Sequence, residues 1–129
     1  MVNVSASDFK NVIDQQSLTN QNVEYIIDLA IDSLNIFGAT LTNMTGTAGT
    51  KTVDLTSQQR GAVFIVAREI YNKFWKGAGT ATTTGGFTVT VGDLLNDNDL
   101  ASLLEKLGEK LAMSSATAGV AFVVGEDTS

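Results

Sequence analysis

The chain has no cysteine and no histidine among its 129 residues. Without cysteine there is no disulfide frame, no thiol nucleophile, and no zinc-ribbon or iron–sulfur ligand set. Without histidine, the commonest general base and the commonest metal ligand are both missing. Long apolar runs are lacking too: the longest, Ala62 to Ala67, falls far short of a membrane span. The opening Met1-Val-Asn-Val has neither the basic nor the apolar region of a signal peptide, so no secretory leader is expected there. Basic charge is scarce, with 8 Lys and Arg against 14 acids and a formal charge of −6. That balance argues against a sequence-reading nucleic-acid binder, which carries a basic patch or stripe. No enzyme activity, metal or cofactor is expected from this inventory.

What is present reads as helices. Ser5 is placed to cap a short first helix whose face is Phe9, Val12 and Ile13. A second helix is expected from about Asn20 to Phe37, capped by Thr19 or Asn20 and closed by Gly38. Its apolar stripe is Val23, Ile26, Ile27, Ala30, Leu34 and Phe37, with Ile31 at the margin. Glu24, Asp28 and Asp32 recur every four residues on the other side, where like charges repel mildly and favour solvent. A third helix opens on the capping box Thr56-x-x-Gln59 and runs to Trp75 before Gly77. Its middle is apolar almost all round, so it is expected to be the central helix. A fourth begins near Asp97, with the stripe Leu100, Leu103, Leu104, Leu107 and Leu111 weakened by Gly108.

Between these lie segments of another kind. Residues 38–55 alternate around Leu41 and around Val53 and Leu55, which predicts a long hairpin-like loop. Residues 77–86 are a flexible linker by composition. Phe87-Thr-Val89-Thr-Val91 alternates strictly and predicts a short strand. The run Ala118 to Val124 is apolar and β-prone, and a lone strand needs a partner. The expected fold class is therefore mainly α: a small bundle of three to four helices with a hairpin-like loop, a short Thr-rich strand and an extended C-terminal arm. Residues 1–77 would form the helical core with loop 38–55, and 78–129 the strand, fourth helix and docking arm.

Several motifs point elsewhere and fall short. Gly46-Thr-Ala-Gly49-Thr-Lys51-Thr52 looks like a phosphate-binding loop, but Thr50 separates Gly49 from Lys51 and no helix opens there. Asp32-Ser33-Leu34 matches the tripeptide of acyl carrier proteins, acidic helical domains, yet Ser33 lies near the end of a helix instead of its start. Asp93, Asp97 and Asp99 offer oxygen ligands without the glycine and terminal glutamate of a helix–loop–helix calcium site. Charge, by contrast, is clearly segregated. Residues 1–38 and 93–129 are acidic, while Arg60, Arg68, Lys73 and Lys76 make the third helix basic. That separation suits head-to-tail association between copies.

One constellation stands above this background. Ile26-Ile-Asp-Leu-Ala-Ile-Asp-Ser-Leu-Asn-Ile-Phe-Gly38 leads through a long polar loop to Leu55-Thr-Ser-Gln-Gln-Arg-Gly-Ala62-Val-Phe-Ile-Val-Ala67-Arg-Glu-Ile-Tyr71. The pattern, over residues 5–76, resembles the head–tail adaptor (connector, head-completion) proteins of tailed viruses, although no proline precedes the third helix here. The resemblance implies a structural virion protein at the neck, made in the host cytoplasm. It would form a ring of this chain, matching the portal's twelvefold order, with a tail-side neck or tail-completion protein beyond and DNA passing non-specifically through the lumen. No membrane is involved. On that reading Val120, Phe122, Val123 and Val124 would dock on the portal. Glu24, Asp28 and Asp32 would line the channel and repel phosphates. Arg60, Arg68, Lys73 and Lys76 would face the neighbouring subunit. The alternatives are another neck or tail-completion protein and, in a different class, an acyl-carrier-like domain centred on Ser33.

Overall fold

Helix α2, Asn20–Ile36, is the axis of the fold, and both of its ends are set by local chemistry. Thr19 Oγ1 accepts from the Asn22 amide at 3.1 Å, satisfying one of the unpaired donors of the first turn. At the other end Gly38 takes φ +106°, and the amides of Gly38 and Ala39 return to the carbonyls of Asn35 and Leu34. This is a Schellman closure, which needs a left-handed residue at Gly38. The computed structural model describes residues 2–13, 18–75 and 89–120, with side chains on the last helix as far as Met113.

Around α2 lie β1 (Val2–Ser5), α1 (Ala6–Ile13), β2 (Thr52–Leu55), α3 (Ser57–Ile70), α4 (Val91–Leu95) and α5 (Asn98–Val120). The fold is thus a helical bundle with a short two-stranded sheet. Val23, Ile26, Ile27, Ile31 and Leu34 of α2 are fully buried and meet α1, α3, α4 and α5. Ile31 is therefore core, not margin. The central helix is α2 and not α3, because α2 packs against α1, α3, α4 and α5, whereas among the helices α3 packs mainly on α2 and α5. In α1, the Ser5 amide and hydroxyl both donate to Asp8 Oδ2, and Phe9 meets Phe64 edge-to-face with ring centroids 5.9 Å apart. Val12 is 53 % exposed, so that face is narrower than expected.

The capping box of α3 forms as expected: Gln59 N donates to Thr56 Oγ1 and Thr56 N donates to Gln59 Oε1. Beyond Ile70 the helix widens into a π-helical turn, Tyr71–Trp75. From there Lys73 reaches Asp97 at 3.5 Å.

Three expectations about the remaining segments are corrected. The antiparallel partner of β2 is the N-terminal β1, with Val4 opposite Val53, and within the 38–55 loop only Thr45 bridges Thr52. The expected strand ending at Val91 gives way to α4: Thr90 and Asp93 form a second capping box, so Val91 opens a helix. Phe87 and Thr88 lie outside the described residues, as does the whole 77–86 linker. Residues 118–120, expected to start a strand, are the last turn of α5. Nor does the core stop at residue 77, because Val89, Leu94, Leu100, Leu104 and Leu111 are buried in the same cluster as α2. Among the described residues no helix is long and apolar enough to cross a membrane.

Candidate functional site

The acidic row of α2 does not face solvent as a row. The chain leaving Gly38 turns back along this face, and each step of the helix takes hold of it. Asn35 binds Leu41 twice, its amide donating to the Leu41 carbonyl and its oxygen accepting from the Leu41 N–H, at 2.8 and 2.9 Å. Asp32 accepts from the Asn43 side-chain amide at 3.1 Å, and Asp28 from the Met44 N–H at 2.9 Å. Glu24 completes the ladder: one carboxylate oxygen accepts from Gly49 N at 3.0 Å and the other from Lys51 N at 2.9 Å. Asn20 adds a bond to the Gly49 carbonyl. A helix repeats about every four residues and an extended chain runs alongside it, so evenly spaced acceptors suit a loop's amides.

This explains the phosphate-loop resemblance of residues 46–52. Gly49, at φ +95°, lets the amides of Gly49 and Lys51 converge on one anion. The anion is this chain's own Glu24, which is only 4 % exposed. Glu24 cannot line a channel, and Asp28 is spent on the loop. Of the three acids, Asp32 alone stays exposed.

Half-burial raises the carboxyl of Asp28 above its ordinary value, and Asp32 pushes the same way. The Met44 amide, the Asn43 side chain and the Lys51 charge oppose this without cancelling it. A carboxyl raised in the fold contributes stability in its protonated form, and that contribution is lost as pH rises from about 3.8 through the raised value. Asp28→Asn keeps an oxygen for Met44 N–H and never ionises. It is expected to leave neutral-pH stability unchanged or higher and to remove this proton-linked step. Urea denaturation at acid and neutral pH checks it, and a neutral-pH loss above about 1 kcal/mol would contradict it.

The other expected sites are distributed as follows. Arg60 and Arg68 are exposed on α3 and make no ion pair among the described residues, whereas Lys73 is paired with Asp97. Lys76 lies outside the described residues, as do Phe122, Val123 and Val124, and Val120 is the last residue of α5. Ser33 is fully buried, its hydroxyl donating to the carbonyls of Leu29 and Ala30 at 2.8 and 3.0 Å. A carrier serine must be reached by a transferase, so this burial argues against the acyl-carrier reading. Asp93 accepts from the Thr90 N–H in the capping box of α4, and Asp97 caps the first turn of α5 through Leu100 N. That bond, with the Lys73 charge, holds the Asp97 carboxyl below its usual range. No group of acids among the described residues is arranged to hold a metal ion.

Sequence reasoning missed Asn20 and Asn35, because a polar residue on a helix gives no sign of which loop will pass it. Their only signal was position, one turn beyond each end of the acidic row. Comparisons with protein-family models, with curated proteins and with solved structures give no match.

Proposed function

We propose that this chain is a structural virion protein of a tailed virus, a head–tail adaptor that assembles as a ring beneath the portal and extends the DNA channel toward the tail. The observation that supports this is the way residues 5–75 are organised. A short helix is followed by a helix closed at Phe37-Gly38, a long loop lies ordered along that helix, and a capped helix runs on through Tyr71. This is the element order on which the family resemblance rests. A loop clamped at four successive points is also a rigid projection, suited to stacking between rings. The burial of Ser33 speaks against the carrier alternative and so supports the structural reading. On this reading the channel surface is not the Glu24–Asp28 row, whose oxygens hold the loop.

Electron microscopy of the purified protein, alone and mixed with the portal of the same virus, tests the proposal. Rings seated coaxially on the portal are the expected result. A species that never joins the portal under conditions where the portal is intact would overturn the adaptor reading.

A further inference from the structure

An open groove of about 220 Å³ lies between α3 and α5, with Ala62, Ile65, Leu107 and Leu111 along it and Lys110 at its edge. Ile65 is 40 % exposed there, and Met113 on the next turn of α5 is 69 % exposed. Arg68 follows Ile65 by one turn along α3, beside Glu69, and Lys106 stands one turn before Lys110 on α5, with Arg68, Lys106 and Lys110 exposed. An apolar floor with a cationic rim calls for a partner that is apolar and then acidic.

The chain carries such a segment. After α5 come Ala121-Phe122-Val123-Val124, then Gly125, Glu126 and Asp127. Phe122 cannot reach Ile65 and Leu107 in its own groove. Helix α5 continues to Val120, which lies about 20 Å along the axis past Leu107 at 1.5 Å per residue. Phe122 extends at most about 7 Å from Val120, and Val124 about 14 Å. Phe122 therefore cannot return to the Ile65–Leu107 end of the groove, from which its own helix carries it away.

We propose that residues 121–127 of one copy dock in the α3–α5 groove of a second copy, Phe122 against Ile65 and Leu107, with Glu126 and Asp127 meeting the cationic rim. The contact is heterologous, joining one surface to a different one, so it closes into a ring when the rotation allows. It deepens the ring reading by naming the contact between copies, and it gives the C-terminal segment a different partner from the portal.

Because the chain has no native cysteine, single substitutions report the contact directly. Ile65→Cys and Phe122→Cys proteins, mixed under mild oxidation, are expected to give a covalent dimer. With Val12→Cys in place of Ile65→Cys, the yield should be at least about tenfold lower, since Val12 is exposed on α1, away from the groove. Ile65→Asp should weaken self-association in sedimentation by about tenfold or more while keeping the helical circular dichroism. Cross-linking no better than the Val12 control overturns the proposal. So does a doubly substituted chain that closes on itself as a monomer, or unchanged association of Ile65→Asp. The test uses no portal. Cross-linked oligomers that ignore a portal sink only the adaptor reading, and portal-bound rings without the cross-link sink only this contact.

Discussion

Glu24→Ala is expected to lower the stability of the fold by about 3 kcal/mol, a loss of roughly 10 °C in melting temperature for a chain of this size. The side chain is buried, and each of its two oxygens accepts a backbone N–H, from Gly49 and from Lys51. Bonds to a charged acceptor are worth about 1.5–3 kcal/mol each, and removing the acceptor leaves two amides partly shielded from water. Glu24→Gln should fall between, at about 2 kcal/mol, because its oxygen serves one amide while its NH2 group meets the other donor to donor. Thermal and urea denaturation give the magnitude. Hydrogen exchange gives the location: the amides of Gly49 and Lys51 should exchange faster while the middle of α2 stays protected. A loss below about 1 kcal/mol in the alanine variant would mean that the loop is held by something else.

The second large effect is a reversal of sign. Gly108 lies inside α5, where an alanine would ordinarily add about 1 kcal/mol through helix propensity. In the structure a Cβ at Gly108 would come within 2.5 Å of Phe37 Cβ and 3.1 Å of the Leu34 carbonyl oxygen. Neither atom is the free end of a flexible side chain, so α5 must move off α2. Gly108→Ala is accordingly expected to destabilise by about 2 kcal/mol net of the propensity gain. The control is Gly61→Ala in α3, where nothing lies within 4 Å of the new carbon. There the same substitution should stabilise by about 0.5–1 kcal/mol. Melting curves of the two variants should shift in opposite directions. A stabilised Gly108→Ala protein would show that the α2–α5 approach is looser than the structure has it.

These two predictions mark where the sequence could be read and where it could not. The ends of α2 and the start of α3 were legible because their determinants are local. Thr19, Gly38 and the Thr56–Gln59 pair act on atoms within four residues of themselves. The segment at Thr90 misled for the same reason: a strand-like alternation overlaps a capping box, and the capping box sets the backbone. The pairing of β1 with β2 joins residues about fifty positions apart, and four-residue strands carry too little pattern to specify a partner.

For the candidate site the division is sharper. The acidic period on α2 was plain in the sequence, and repulsion among like charges pointed it toward water. Burial was decided by a different part of the chain, whose amides arrive in register with the carboxylates.

The sequence by itself determined helices α2, α3 and α5, the caps of α2 and α3, and the separation of acidic from basic segments, because periodicity and capping involve near neighbours along the chain. Only the tertiary structure decided that α2 is the axis, that Glu24 is a buried clamp, that Ser33 is buried and that α2 closes on Gly108. Each of those depends on which distant atoms come within bonding or contact distance. That proximity is set by the packing of the whole core and is not encoded in any one segment.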